Sequence, residues 1–150
     1  MDIENELEKE KGLISQLCGF TIAGETYGIP VLEVQEVIKA LPTSPIPLSP
    51  EFVDGLINLR GQIVTAINVR KLFGIPEVEK PKYMNIIVKH EDSYYSLLVD
   101  KILDVMELKN SNFEETPDTL DPKRRGFIDG VYKMEKGLLI LIKTEKILDF

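Results

Sequence analysis

The chain has 150 residues, 43% of them hydrophobic, with 18 Lys and Arg against 25 Asp and Glu for a net charge of -7. That length buries well over half of the unfolded surface in one compact unit or two small ones sharing a core, and the acidic balance argues against nucleic acid, whose phosphates it repels. The single cysteine, Cys18, excludes an internal disulfide and suggests a reducing compartment, while no apolar run approaches the roughly 20 residues that cross a bilayer, so no membrane insertion is expected.

Residues 1–12 form an acidic leader that lacks the regions of an export signal. With only Ile3 and Leu7 to bury, it reads as a frayed tail or a solvated helix ahead of a domain over 13–150. CGFTI, AGET and YGIPV, from Cys18 onward, read as a β-hairpin with a polar turn. LPTSPIPLSPE, residues 41–51, carries four prolines and is expected to be an extended surface connector. GLINLRGQIVTAINV, residues 55–69, gives two apolar strands broken by Arg60 and Gly61. Asn68 is placed to cap a short helix, VRKLF, that ends at Gly74. After the linker 74–82, NIIVK, HEDS and YYSLLV repeat the hairpin pattern. The polar stretch 109–123 reads as a functional or mobile loop. Lys123, Arg124 and Arg125 then form the densest basic cluster, taken as a solvated strand entry, and Thr144 is expected to cap a final helix.

The chain is similar to itself. YGIPVLEVQEVIKA from Tyr27 aligns with YSLLVDKILDVMEL from Tyr95 at a spacing of 68. FVDGL from Phe52 reappears as FIDGV from Phe127, and the run from Gly61 is echoed from Gly137, at spacings of 75 and 76. Three matches in one order predict a pseudo-repeat over about 18–74 and 84–150. With five short strands per copy, few helices and frequent turns, the fold class is mostly β, as small barrels or sandwiches.

No catalytic or metal pattern emerges. His90, the sole histidine, lies in the polar HEDS stretch, far in sequence from Cys18, and together they supply neither a nucleophile–base pair nor a zinc ligand set. Phosphate-loop, dinucleotide and EF-hand motifs are absent, so neither enzyme activity nor a cofactor is expected. What stands out is the 55–69 run, apolar on both strand parities, which needs cover on both faces: one from its own barrel, the other from the second copy or a partner. Two readings of Arg60 remain open. It is an exposed turn residue, or it is an interface residue on a rigid hairpin, where a guanidinium pairs carboxylates while its stem packs.

FTIAGETYGIPVLEVQEVI, FVDGLINLRGQIVTAINV and RGFIDGVYKMEKGLLILI together resemble the CheW family of bacterial chemotaxis adaptors, with GLINLRG the most specific piece. The resemblance covers roughly residues 14–149. It implies two five-stranded, SH3-like barrel subdomains with interleaved strands, and a non-enzymatic scaffold, monomeric when isolated. Such an adaptor is cytoplasmic and recruited to membrane-associated arrays. Its partners are the histidine kinase CheA, through that kinase's CheW-like regulatory domain, and the cytoplasmic hairpin tip of methyl-accepting chemoreceptors. Carried over by motif, Arg60 and Glu36 approach each other and shape a receptor-facing groove beside Val34 and Val37, while the kinase-binding residues stay unassigned. Thr65-Ala66 and Lys143 depart from residues common in the family. Length and the leading Met1 favour a free-standing adaptor over the related regions of the kinase or of CheV. An adaptor of a non-flagellar pathway, and a ligand-binding or enzymatic barrel, remain as alternatives.

Overall fold

Turn chemistry sets the local folding. In the computed structural model, which describes residues 12–79 and 81–150, each sequence-adjacent hairpin closes through two loop residues. Strands β1 (Ile14–Ile22) and β2 (Glu25–Pro30) meet at Ala23 and Gly24, with φ of 53° and 82°. Strands β6 (Met84–His90) and β7 (Ser93–Val99) meet at Glu91 and Asp92, with φ of 46° and 64°. Both-positive φ is the pattern whose twist matches that of paired strands. The four-residue turns expected from AGET and HEDS therefore shrink to two, and His90 moves from the turn to the end of β6, with its ring 6.5 Å from that of Tyr95. The acidic leader, residues 2–11, lies outside the described residues.

Strands β3 (Val34–Ile38), β4 (Val53–Leu59) and β5 (Gln62–Asn68) complete one sheet, in the order β3-β6-β7-β5-β4. Strands β8 (Lys101–Lys109), β9 (Phe113–Glu114), β10 (Ile128–Met134) and β11 (Gly137–Ile142) complete the other, in the order β8-β1-β2-β11-β10-β9. Apart from the two-residue β9, the two orders correspond strand for strand under the spacings of 68 and 75, down to one parallel pair in each: β5 with β7 and β11 with β2. Each hairpin has crossed to the other copy's strands, so neither barrel is filled by its own copy alone. The fold is mostly β, in two interleaved subdomains.

The exchange leaves one core between the sheets. Phe20, Ile22, Tyr27 and Ile29 from β1–β2 pack with Ile86, Val88, Leu97 and Val99 from β6–β7. Tyr27 stands 5.8 Å from both Phe20 and Phe73. Full burial of each such side chain contributes roughly 1.5–3 kcal/mol, so the subdomains share their largest stabilising term. Two smaller cores fill the barrels: Ile57, Val64, Ala66, Ile87 and Leu98 in one, Leu17, Tyr132 and Leu139 in the other.

The repeated Asp-Gly has a steric reason. A Cβ on Gly55 would overlap the carbonyl of Ser44, whose backbone exchanges hydrogen bonds of 2.9 and 2.8 Å with Leu56. At the matched Gly130 a Cβ would overlap Phe113 and the Glu114 carbonyl. In both copies a connector crosses the bulged strand at its glycine, and β9 is the second copy's version of the Ser44 bridge.

Short helices follow β5 and β11. In α1 (Val69–Phe73), the Asn68 side chain accepts the Lys71 N–H at 3.1 Å, and Gly74 closes the helix at φ 73°, as the sequence predicts. In α3 (Thr144–Ile147), Lys143 takes the cap position instead of Thr144, which lies inside the first turn with its hydroxyl buried and unpartnered. Lys143 reaches Asp129 at 3.6 Å, as Lys71 reaches Asp54 at 3.4 Å. The basic cluster also differs from expectation. Lys123, Arg124 and Arg125 lie on a short helix, α2 (Pro122–Arg125), begun by the Asp121 side chain and Pro122. Arg124 donates to the Tyr27 hydroxyl at 2.7 Å and to Glu25 at 2.8 Å. Arg125 donates to the carbonyls of Asp118 and Leu120. Both arginines are partly buried: Arg124 ties α2 to β2, and Arg125 ties it to the end of the 109–123 segment. A buried tyrosine hydroxyl needs such a partner.

One charged staple fixes the crossover from β7 to β8. Arg70 forks onto Asp100 at 3.1 and 2.6 Å and donates to the Pro76 carbonyl at 2.6 Å, while Asp100 also accepts the Ala23 N–H at 2.8 Å. Burial raises the Asp100 carboxyl, but its hydrogen bonds from Arg70 and Ala23 outweigh that and hold it below the usual range.

Candidate functional site

The β4–β5 turn is tight because Leu59 pairs directly with Gln62, leaving Arg60 and Gly61 as its only loop residues. Both are left-handed, with φ of 52° and 85°. A two-residue loop of this hand demands positive φ at both positions, from the arginine as well as the glycine. This closure also switches parity across the hairpin. Ile57 faces with Val64 and Leu59 with Gln62 toward the barrel interior, whereas Ile63 belongs to the outer face and is 55% exposed. The run is therefore covered on both faces near α1 and on one face near the turn.

The turn brings Arg60 to Glu36. The Arg60 guanidinium donates to the Glu36 carboxylate, with side-chain exposures of 68% and 33%. Glu36 lies on β3, the first strand in the sheet order, and Arg60 at the turn leading from the last, so the pair joins the sheet's two edges across the barrel mouth. So exposed an ion pair contributes only about 0–1 kcal/mol. Its position is more informative than its energy.

Beside the pair lies a groove of about 300 Å³ lined by Gln35, Glu36, Leu59, Arg60, Gln62, Val64, Ile87 and Tyr94. Leu59, Val64, Ile87 and Tyr94 form a small apolar floor, but most of the surface the groove exposes is polar: the rim carries one charge of each sign, and two glutamines add neutral hydrogen-bonding groups. Gln35 enters through a register shift between Val34 and Glu36, which inserts one residue and re-aims the strand. Ile87 and Tyr94 arrive through pairing of β3 with β6 and of β5 with β7, contacts between segments far apart in the chain. No spacing rule in the sequence announces them; Gln62, beside the Arg-Gly turn, was the one legible locally.

Of the four residues singled out by sequence, the structure joins Arg60 and Glu36 and separates the two valines from them. Register sets Val34 opposite Val88 and Val37 opposite Ile86, whereas Glu36 lies opposite Ile87 on the other face of the sheet. Val34 packs half-buried on the shared core, and Val37 remains 37% exposed at the strand edge. Among the described residues, no helix is long and apolar enough to cross a membrane and no His, Cys, Asp or Glu cluster could hold a metal ion.

Two strand-exchanged barrels around a common core, with an ion-paired groove at one mouth, define a double-barrel β module. Comparison with known proteins makes the class specific. The CheW-like domain family matches residues 16–150. A chemotaxis protein CheW from Helicobacter pylori is 28% identical over 136 residues, 90% of this chain and 82% of the relative. Another, from Treponema pallidum, is 29% identical over 137 residues, 88% of this chain and 81% of the relative. The crystal structure of the scaffolding protein TtCheW from Thermoanaerobacter tengcongensis superposes with a TM-score of 0.77 at 34% identity, covering 86% of this chain and 88% of that one. The chain belongs to the CheW family of chemotaxis adaptor proteins.

Proposed function

We propose that this chain is a non-enzymatic coupling scaffold, present in the cytoplasm as a monomer, that joins the histidine kinase CheA to methyl-accepting chemoreceptors at membrane-associated arrays. In this reading the kinase contributes its CheW-like regulatory domain and the receptor its cytoplasmic hairpin tip. The observation that supports it most is the groove at the Arg60–Glu36 rim. A helical tip presents both apolar and charged side chains, and a largely polar groove with a small apolar floor, one fixed cation and one fixed anion gives it a seat and a register. Arg60 and Glu36 act as the register-setting charges. Val37, exposed on the opposite face of the same edge strand, supplies an apolar contact to a partner that wraps round that edge, and Val34 anchors the strand on the shared core. The pseudo-repeat over 18–74 and 84–150 accounts for there being two mouths, of which only this one carries the pair.

A pull-down tests the reading. The chain is incubated with a chemoreceptor cytoplasmic fragment and with CheA, separately and together. Recovery of a ternary complex is the expected result, and failure to retain either partner overturns the scaffold role.

A further inference from the structure

Arg60 is held in a conformation that L-residues with long side chains avoid, since at φ 52° its Cβ crowds the following carbonyl. A two-residue loop between paired strands takes this form without an asparagine clamp, as Ala23-Gly24 and Glu91-Asp92 do, so what a clamp adds here is a fixed placement of the arginine over Glu36. The nearest fixing group is Asn58. Its side-chain carbonyl accepts the Gly61 N–H at 2.9 Å, clamping the backbone just beyond the arginine. Asparagine suits this task because its short amide bonds the backbone a few residues on.

Asn58 does not itself line the groove. Register places it opposite Ile63, on the outer face, whereas Leu59 and Gln62 face the interior with the groove. Any influence on a groove occupant must therefore pass through the turn. The second copy offers the contrast. There Lys133 occupies the matched position, 75 residues on, and its ammonium pairs with Glu114 at 2.8 Å. The β10–β11 turn that follows takes another form: neither Glu135 nor Lys136 has positive φ, and Gly137 alone is left-handed at 97°. The asparagine clamp and the left-handed arginine occur together in one copy and are both missing from the other.

We propose that Asn58 is a positioning residue: by clamping the Gly61 amide it holds Arg60 over Glu36 and thereby sets the affinity of the groove for its helical partner. The inference rests on the receptor-binding reading of Arg60, and its test separates the two. Asn58→Ala, Asn58→Asp, Arg60→Ala and the Asn58→Ala/Arg60→Ala double variant are compared in the intact chain. In the free protein, Asn58→Ala is expected to speed exchange of the Gly61 amide about tenfold and to move the Arg60 guanidinium resonances toward those of free arginine; Asn58→Asp, which keeps the acceptor, preserves Gly61 protection. Against a chemoreceptor cytoplasmic fragment, Asn58→Ala is expected to bind about fivefold more weakly, with no further loss when added to Arg60→Ala. Wild-type affinity in Asn58→Ala, unchanged Gly61 exchange, or the same fivefold loss on top of Arg60→Ala overturns the proposal. Should the wild-type chain fail to bind the fragment, the receptor reading falls, and the two resonance signals alone decide whether Asn58 positions Arg60.

Discussion

The two barrel mouths of this molecule sit at matched places in matched sheets and differ in charge, turn and filling. At one, Glu36 on β3 meets Arg60 on the β4–β5 turn. At the other, the corresponding positions on β8 and on the β10–β11 turn are Asp104 and Glu135, two exposed carboxylates that have no attraction to offer each other. The interior differs as well. Where Ile87 floors the first groove, the matched residue is Gly19, and Met106 packs into the space its missing side chain leaves. One mouth is an open, ion-paired groove and the other is plugged and acidic. The fold therefore supplies two equivalent platforms, and a few side chains make one an ion-paired groove and the other a filled, acidic mouth.

Some features are shared by both halves, and breaking them should hurt both alike. Gly55→Ala is expected to cost about 3 kcal/mol, from overlap with the Ser44 carbonyl plus a φ of 145°. Gly130→Ala, with the overlap alone, is expected to cost about 2 kcal/mol. Urea denaturation of the two variants checks the ranking. Equal, negligible losses would mean that the crossing connectors are loosely held.

A feature present on one side only should give a one-sided result. Arg70→Met removes the fork onto Asp100 and is expected to cost about 2 kcal/mol near neutral pH. The matched residue in the other copy is Glu145, which stands near Glu33; there partial desolvation, followed by the Glu145 and Asp129 carboxylates, raises the Glu33 carboxyl. Because Asp100 is lowered on folding, its stabilisation is fully present above the ordinary carboxylate value of 3.8 and is lost as pH falls through the lower folded-state value. The stability gap between wild type and Arg70→Met should thus be constant from neutral pH to about 5 and close below 3.8. Melting curves across that range decide it, and a gap that persisted in strong acid would show that Arg70 acts by packing instead.

The smallest expected effect comes from attempting to copy the pair. Glu135→Arg places a guanidinium opposite Asp104, but on a turn of different form above a plugged interior. Receptor-fragment affinity is expected to stay within about twofold of wild type. A clear gain would mean that charge alone, without the left-handed turn and the open floor, makes a mouth competent.

What the sequence made legible was local or periodic. Asn68 and Gly74 announce both ends of α1, polar turns with β-branched and aromatic flanks announce the hairpins, and the spacings of 68 and 75 announce which strands correspond in the two copies. The Arg60–Glu36 approach came from motif resemblance, not from spacing. Three things escaped for physical reasons. Which apolar residues of the 55–69 run share a face escaped, because a two-residue loop sets odd positions against even ones, as in Ile57 opposite Val64. Arg124 and Arg125 looked solvated because Tyr27, Asp118 and Leu120 become their partners only when the long segment folds back. Tyr94 and Ile87 enter the groove through non-local strand pairing, which leaves no mark on either segment alone.

The central claim is that Arg60 recognises a partner and does little to hold the fold. It is tested most directly by titrating a chemoreceptor cytoplasmic fragment against Arg60→Glu while recording the variant's urea midpoint. The account predicts a loss of affinity of tenfold or more, roughly 1.4 kcal/mol, with folding stability changed by less than about 1 kcal/mol. Unchanged affinity, or a stability loss large enough to explain the weaker binding, would contradict it.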